Sequence, residues 1–459
     1  MVGTLIMQFD ICRSPISLTS PTALIHWDQM VLAFLAHGSQ APVHLKNLLD
    51  AAPDFAMAHA AKSLFSMMMG RRELVEVAAA ASADAQRYLL AGGATRREHL
   101  WCEAAAAWIN GRPTVAINRL EEAMQRNPAD TLTLKVVHAI RFILGDNFGM
   151  RHSVEAVIDA HGMDHPLRGY ALGCHAFALE ETGCYDEAER VGLDALHFAT
   201  DDAWGLHAVA HVYDMTHRPR AGIAVIESNG CAWGHCNNFR FHVWWHKALL
   251  HLDEGEYDVV LNLYDEKIRA EKTDDYRDFS NASSLLMRLE LEGVDVGDRW
   301  TELADLAETR SDDGCLVFAD LHYMLALIGD DRDDAAARMT SRIARDAGGL
   351  GEMAAVTRDP GQAAAQGLTA FGEARFGEAF QMLNAARPRF QVMGGSHAQR
   401  DVFERLTIEA AIRAGQLDEA ERLLGERIGL RSGHVDAFAH RRMELVQNAR
   451  TVMPALAVH

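Results

Sequence analysis

The string GCYDEA, from Gly183 to Ala188, decides the fold that this sequence predicts. Glycine tolerates the left-handed conformation that ends a helix, and the acidic pair that follows suits the first turn of the next helix. The small Ala188 then lets two neighbouring helices approach closely. Similar strings occur elsewhere in the chain, as GRPTVA from Gly111, GEYDVV from Gly255 and GQLDEA from Gly415. Each string is interpreted as the turn of a helical hairpin.

Weaker copies of the same turn lie between and beyond these strings. They are placed at Gly70, Gly145, His217 with Gly222, Gly293, Gly329, and Ala374 with Ala379. Successive turns are then 34 to 45 residues apart. A period near ~34 residues with insertions is typical of tetratricopeptide repeats. Because alternating strand patterns are nearly absent, we predict an all-α fold, a right-handed superhelix (α-α solenoid) of tetratricopeptide-like antiparallel helix pairs with a concave binding face.

Composition and spacing divide the chain into three parts. Residues 1–44 are expected to form an N-terminal arm and a first helix, and residues 45–345 a central helical-repeat array with a histidine-rich concave site. Residues 346–459 are expected to hold C-terminal helical repeats. The stretch DAGGLGEMAAVTRDPGQ at the start of this part interrupts the helical pattern with glycines and a proline.

The charge and the ends of the chain exclude some partners. The 44 basic and 64 acidic residues give a net charge of -20 without a compensating basic block, which argues against nucleic acid. The start lacks a basic segment followed by a long apolar run, and no apolar run approaches the roughly 18 to 20 residues that span a bilayer. We therefore expect a cytoplasmic protein without a membrane partner. The seven scattered cysteines fit reduced thiols better than a disulfide framework.

Two histidine pairs mark the candidate site. His207 and His211 are four residues apart on one expected helix, and His242 and His246 on another, so the members of each pair share a helix face. Such pairs can chelate a divalent metal ion, and a neutral imidazole can also act as a general acid or base. The alternative is that these rings are buried, hydrogen-bonded residues that fix the packing of the helices.

Other side chains are candidates to complete this site. Glu181 is a catalytic candidate beside the four histidines, because a carboxylate can orient an imidazole or take up its proton. The ligand-binding candidates are aromatic, polar and charged residues expected on neighbouring helices: Trp204, Trp245, Glu180, Asp278, Asn281, His322 and Arg400. For the carboxylates the alternative role is helix-end solvation, and at Arg400 it is a helix that Ser396 caps.

Several longer segments resemble one known family. They are His165 to Glu189, Asp202 to Met215, His242 to Asp265, Ser283 to Trp300 and Gly394 to Phe403, and they include the specific strings HAVAH and GGSHAQRD. With these segments the chain resembles the tetratricopeptide repeat protein 38 family. The resemblance implies a helical-repeat fold and assigns no reaction. The family tends to have Asn where this chain has Val243 and Asp where it has Ala139, so no role of those side chains is carried over.

Three functions are compatible with these patterns. The first is a concave pocket rich in His and Trp that binds a small molecule, with hydrolase or lyase chemistry by His and a carboxylate as its most natural reaction. The second is a tetratricopeptide-repeat scaffold that binds a protein or peptide on its concave face. The third is a metal-binding protein in which His207, His211, His242 and His246 hold a structural metal. No cofactor is predicted beyond such a divalent metal, and enzymatic activity and a homo-oligomer are left open.

Overall fold

In the computed structural model, residues 8–456 are described, with side chains through residue 451. Over this range the chain is a succession of paired helices, which confirms the predicted all-α fold of tetratricopeptide-like hairpins. The described strands form a single antiparallel pair, β1 (Gln8–Phe9) with β2 (Pro15–Ile16). The first seven residues of the predicted N-terminal arm lie outside the described residues.

The helices belong to two compact units. The first comprises Met1–Val209 and Asn229–Arg240, and the second comprises Ala210–Ser228 and Phe241–His459. Boundaries between them fall inside two helices, α11 (Ala203–Met215) and α14 (Phe239–Asp253), and only the first two residues of α14 belong to the first unit. The division into three parts that the sequence suggests stays a prediction.

The first unit is helical apart from its strand pair. Its helices besides the beginning of α11 are α1 Pro21–Leu35, α2 Ala41–Ala51, α3 Ala56–Met68, α4 Arg72–Leu89, α5 Arg96–Ile109, α6 Pro113–Arg126, α7 Thr131–Ile143, α8 Asn147–Glu155, α9 Arg168–Glu180, α10 Tyr185–Phe198 and α13 Gly230–Trp233. One 3-10 segment, Ile158–Ala160, follows α8.

The second unit contains the end of α11 and the remaining helices. These are α12 Pro219–Ser228, α14 Phe239–Asp253, α15 Tyr257–Leu263, α16 Tyr276–Leu291, α17 Arg299–Arg310, α18 Val317–Gly329, α19 Asp333–Asp346, α20 Glu352–Val356, α21 Gln362–Gly372, α22 Phe376–Ala386, α23 His397–Arg413, α24 Leu417–Leu430 and α25 Ala437–Leu456. Two π-helical turns, Tyr264–Ile268 and Thr357–Gly361, and a 3-10 segment, Arg387–Met393, interrupt the pairs. None of the helices described in either unit has both the length and the apolar character needed to cross a membrane.

Within each unit, a first helix packs on a second helix, and the next first helix packs beside the pair. In the first unit α3 packs on α4, α5 on α6, α7 on α8 and α9 on α10. The second unit repeats this with α18 on α19, α21 on α22 and α23 on α24. Contacts also skip repeats, since α7 contacts α1 and α3, and α16 contacts α23. First helices that are distant in the sequence therefore cover one another inside each unit.

The turn residues adopt the left-handed conformation that a tight hairpin requires. The φ angle is 81° at Gly183, and the non-glycine turns at His217 and Ala374 also have positive values, 51° and 55°. The small residue five positions after each clear turn is buried, which applies to Ala116, Ala188, Val260 and Ala420. The recurring string is thus the hairpin turn that the sequence predicts.

One predicted turn is wrong in its position. Gly329 ends α18, and the left-handed residue is Asp331, with a φ of 51°. A Cβ atom at Gly329 would lie 2.5 Å from the ring of Trp300, so this glycine permits a close approach of α17 instead of forming the turn. Counted from Asp331, the buried small residue five positions later is Ala336.

A buried ion-pair network holds the described part of the arm in the first unit. The Arg97 guanidinium donates to Asp130 at 2.7 and 2.9 Å and to Oδ2 of Asp10 at 2.6 Å. Trp27 Nε1 donates to the same Asp10 oxygen at 2.9 Å. Since two buried carboxylates share one guanidinium, each charge in this network has a partner of opposite sign.

Because Ala374 lies in a left-handed turn, replacement of this alanine by glycine should change stability in the opposite direction from the same replacement inside a helix. Ala374→Gly is expected to stabilise the protein by about 0.5–1 kcal/mol, because an L side chain in this conformation is strained and glycine is not. Ala80→Gly, in the exposed interior of α4, should destabilise it by about 1 kcal/mol. Urea unfolding of both variants beside the wild type measures the two changes. A loss of stability in both would show that Ala374 is not strained.

A buried histidine cluster as candidate functional site

Three histidines from two helices lie together in the second unit. His242 and His246 are one turn apart on α14, and their Nε2 atoms are 3.1 Å apart. His211 comes from α11, and its ring centroid is 4.4 Å from that of His246. Each of the three offers a ring nitrogen within 4.8 Å of the others, and all three side chains are buried. We call His211, His242 and His246 the imidazole cluster.

Hydrogen bonding defines which ring nitrogens carry protons. Nδ1 of His242 is 2.9 Å from Oδ1 of Asn281, an oxygen that can only accept. His242 therefore donates through Nδ1, and in its neutral form its Nε2 accepts from Nε2–H of His246. This assignment rests on the chemistry of the partner atoms. The two rings and the amide form one ordered chain of donors and acceptors.

Burial keeps the rings of His242 and His246 neutral. Removal from water lowers the pKa of His242 to about 3, although its hydrogen bond to Asn281 acts in the opposite direction. Burial also lowers the pKa of His246 well below its ordinary value, and the nearby His211, His242 and Arg288 lower it further. A neutral imidazole has the lone pair that metal coordination or hydrogen-bond acceptance needs. A pKa this far below 7 also makes the ring a weak base.

A buried arginine accompanies the cluster. Arg288, on α16, is 1% exposed, and its guanidinium donates to the backbone oxygens of Ser284 at 3.1 Å and Ala398 at 2.5 Å. It forms no ion pair with any carboxylate of the described chain. Burial lowers the pKa of Arg288 to about 9. A buried guanidinium without a paired carboxylate is costly, and an anionic ligand would remove that cost.

Two further buried donors lie near Arg288. Asn281 precedes it by seven residues on α16, which places both on one helix face, and Nδ2 of Asn281 has no hydrogen-bond acceptor among the described residues. Nε1 of Trp245 lacks an acceptor in the same part of the chain. The Trp245 ring stacks on His242 with centroids 5.3 Å apart and lies 5.6 Å from the guanidinium carbon of Arg288. Besides the guanidinium, the site therefore presents two buried N–H donors that an acceptor on a ligand could satisfy.

His207, the fourth predicted histidine, belongs to the first unit. It lies one turn before His211 on the same face of α11. The His207 ring stacks on Phe177 with centroids 5.3 Å apart and lies 4.9 Å from the ring of Trp204, another predicted site residue. His207 is thus surrounded by aromatic side chains within its own unit.

The two predicted glutamates also lie in the first unit. Glu180 is the last residue of α9 and Glu181 follows it, and both side chains are buried. Nδ2 of Asn147 donates to Oε2 of Glu181 at 2.7 Å and to its backbone oxygen at 3.2 Å. Glu181 therefore also ties the end of α9 to the start of α8.

Two other predicted ligand residues of the second unit are bound locally. Asp278, in the first turn of α16, accepts a hydrogen bond from Oγ1 of Thr273 at 2.6 Å. Arg400, in the first turn of α23, donates to the backbone oxygen of Gly395. Ser396 caps that helix through a capping box, which is the alternative that the sequence offered for this segment.

His322 belongs to the electrostatic surroundings of Arg288. Its Nδ1 donates to the backbone oxygen of Phe318 at 2.7 Å, and its ring meets that of Phe403 edge to face at 5.0 Å. Burial lowers the pKa of His322 to about 3, and the charge of Arg288 contributes to this. Nε2 of His322 has no hydrogen-bond partner within the described chain.

Sequence reasoning missed Arg288, although a signal for it exists. Arg288 is the one charged residue in the otherwise apolar and small string SSLLMRL from Ser283. A single cation on the apolar face of a helix must either extend to water or find a buried partner. This signal indicates a buried charge, and only the neighbouring helices decide which of the two occurs.

No protein-family model matches this chain. Among solved structures it is similar to yeast Tom70, with 12% sequence identity and a TM-score of 0.37 over 94% of this chain and 88% of that chain. It is also similar to Naa15/Naa10 bound to HypK-THB, with 11% identity and a TM-score of 0.25 over 89% and 68% of the two chains. For the TPR domain of P58(IPK) the identity is 14% and the TM-score 0.22, over 78% and 99%. At these values the likenesses decide neither a ligand, nor a partner, nor a reaction.

The variant His322→Gln is expected to make stability less sensitive to acid. The folded chain keeps this ring neutral down to about pH 3, whereas the unfolded chain takes up a proton near about pH 6.5. The neutral ring thus contributes to the free energy of unfolding above the pKa of the unfolded chain, and this contribution is lost as the pH falls below that pKa. Between about pH 7.5 and 5.5 the wild type should lose about 1 kcal/mol more unfolding free energy than the variant, which urea titrations at both pH values measure.

The exposed His434 supplies the control for this experiment. His434→Gln should lose as much stability on acidification as the wild type does. If the wild type and His322→Gln lose equal amounts, the neutral buried state of His322 is contradicted.

Proposed function

We propose that this tetratricopeptide-like protein is a binding protein, and that the imidazole cluster with Arg288 holds a small anionic ligand. One observation carries the proposal: within the described chain, the buried Nδ2 of Asn281 and Nε1 of Trp245 lack an acceptor, and the Arg288 guanidinium beside the Trp245 ring forms no ion pair. A carboxylate or phosphate group would accept hydrogen bonds from these donors and compensate the guanidinium charge. The Trp245 ring supplies an apolar wall for the rest of the ligand.

The same geometry supports binding more than acid-base catalysis. A general base is most effective when its pKa lies near the working pH, and burial holds the pKa of His242 at about 3. Hydrolase or lyase chemistry at this site therefore requires a ligand whose own negative charge raises the pKa of the ring. Such a reaction is a secondary part of the proposal.

A metal ion is the alternative occupant. Three ring nitrogens within 4.8 Å of one another suit three ligands of a zinc-like ion. The positive charge of Arg288 opposes a cation at this position, which is why we place the anion first.

The fold itself favours a protein or peptide partner as the second function. Arrays of tetratricopeptide-like hairpins are typical of protein-binding scaffolds, which use their concave face. Here the histidines predicted for that face are buried, so a peptide would have to bind other residues. Membership of the tetratricopeptide repeat protein 38 family is likewise proposed, from the strings HAVAH and GGSHAQRD, and a cytoplasmic location and a homo-oligomer stay proposals as well.

Removal of the Arg288 charge is expected to abolish stabilisation by small anions. The probes are acetate, oxalate and inorganic phosphate, and the readout is the midpoint of thermal unfolding. A probe at about 100 times its dissociation constant adds about 2.7 kcal/mol of stability, which corresponds to a shift of several degrees. The wild type should show this shift with at least one probe, and Arg288→Met should not.

Elemental analysis of the same preparations separates the two occupants. If the wild type contains a stoichiometric transition metal that His246→Ala loses and Arg288→Met keeps, the ligand of this site is a metal ion and not an anion. The matched control is His161→Ala, an equally buried histidine of the first unit that bonds Thr131 and the Val157 backbone. It should lower stability without changing metal content or anion response. If the wild type contains no metal and no anion probe shifts its thermal midpoint, the scaffold function is the one that remains. Selection of binders from a peptide display library then tests that function.

A further inference from the structure

The first unit buries an amine of its own. The chain has six lysines against 38 arginines, and Lys135, on α7, is 5% exposed. Its Nζ lies 4.3 Å from the centroid of the Trp204 ring. No carboxylate oxygen of the described residues lies within ion-pair distance of Nζ. Lys135 is therefore a buried amine without an ion pair among the described residues.

His138 adds a donor on the same helix face. It follows Lys135 by three residues on α7. Nε2 of His138 accepts from Nε1–H of Trp204 at 3.1 Å, so in the neutral ring the proton resides on Nδ1. Burial, together with the charge of Lys135, lowers the pKa of His138 well below its ordinary value, which keeps the ring neutral. The Nδ1 atom is buried and lacks an acceptor among the residues that the structure describes.

Asp202 adds a carboxyl group. Its Oδ2 accepts from the backbone N–H of Gly205 at 3.1 Å, and its Oδ1 is buried without a partner in the described chain. Two glycines make room for this side chain, since a Cβ atom at Gly173 or Gly205 would lie 2.1 or 2.5 Å from Oδ2. Burial raises the pKa of Asp202 to about 7, against the effect of the nearby Lys135. Near neutral pH this carboxyl group exists both with and without its proton.

Burial also decides the state of the amine. It lowers the pKa of Lys135, while the neighbouring Cys174, Asp202 and Cys236 act in the opposite direction. At pH 7 a larger fraction of this amine is neutral than of an exposed lysine, whose pKa is about 10.4. A neutral amine is a nucleophile. The first unit thus brings together a buried amine, a neutral N–H donor, a carboxyl group and an aromatic ring.

We propose that Lys135 is a carbonyl-reactive amine, and that the first unit binds a small aldehyde or ketone there as an imine. The lone pair of Nζ attacks the carbonyl carbon, a C–N bond forms, and the electron pair of the C=O bond moves to oxygen. After proton transfer from nitrogen to oxygen, the hydroxyl group leaves as water with a further proton. Loss of the second proton from nitrogen leaves the C=N bond. One carbonyl compound and one amine give one imine and one water, and no oxidant or reductant is needed.

Each neighbouring group has a place in this sequence. Nδ1–H of His138 donates to the carbonyl oxygen while negative charge develops on it. Asp202 protonates the departing hydroxyl group and then takes the proton from nitrogen, which a carboxyl group with a pKa near 7 can do in both directions. The Trp204 ring packs against the apolar part of the carbonyl compound. This site does not depend on the ligand proposed for the second unit.

Reductive trapping tests the proposal on the full-length protein. Benzaldehyde and sodium cyanoborohydride convert an imine into a stable benzylamine, which mass spectrometry of an arginine-specific digest quantifies at each of the six lysines. At about pH 7, Lys135 should be modified at least ~10-fold faster than the exposed Lys62 of α3. At about pH 9.5 this ratio should fall, because exposed lysines then lose their protons. Slower modification of Lys135 than of Lys62 at about pH 7 overturns the proposal.

Two variants separate chemistry from packing. Lys135→Arg keeps a cation over the Trp204 ring but cannot form an imine, so the rapid adduct at neutral pH should disappear while the thermal midpoint is retained. Asp202→Asn keeps an oxygen for the Gly205 N–H but cannot transfer a proton, and it should slow the adduct at Lys135 by about 10-fold. If urea-unfolded wild type is modified at Lys135 faster than the folded protein, burial blocks the amine and the proposal fails.

Discussion

Close approach of paired helices at a small residue is the constraint on which this structure depends. In the four clear copies of the turn the first helix ends in a left-handed glycine, and five positions later a buried Ala or Val lets the second helix lie against the first. Repetition of this contact stacks the hairpins and turns the inner faces of the first helices toward one another. Polar residues on those faces are then removed from water whatever their chemistry. The shifted pKa values at the imidazole cluster, Arg288 and Lys135 are consequences of that removal.

Desolvation acts differently on charges that have a partner and on charges that lack one. Arg97 is paired with Asp10 and Asp130, and Arg427 in the second unit donates to Asp401 and Asp436. In these networks the opposite charges compensate the loss of water, and each network ties helices to one another. They explain structure and need no ligand.

Arg288 and Lys135 form the other group, since neither makes an ion pair with a carboxylate of the described residues, and the neutral His242 lies near Arg288. Burial lowers the pKa of Arg288 to about 9 and that of His242 to about 3, and it lowers the pKa of Lys135 as well. Each of these three groups is shifted toward its neutral form. The shift makes the Lys135 amine a better nucleophile and His242 a better metal ligand or hydrogen-bond acceptor, and an anion beside Arg288 would favour its charged form. The helical-repeat fold supplies only the positions, and the chemistry belongs to these individual side chains.

The sequence by itself determined the hairpin turns, the repeat period and the all-α class, since the conformation of a turn depends on residues that are neighbours in the chain. It also determined that His242 and His246 share a helix face. The tertiary structure alone decided that Trp300 occupies the space beside Gly329, which moves the turn to Asp331. It alone decided that His242 meets Asn281, 39 residues away, and that Trp204 meets His138, 66 residues away. Burial and pairing depend on such distant contacts, so whether a lysine or arginine is compensated can be known only when the helices are packed.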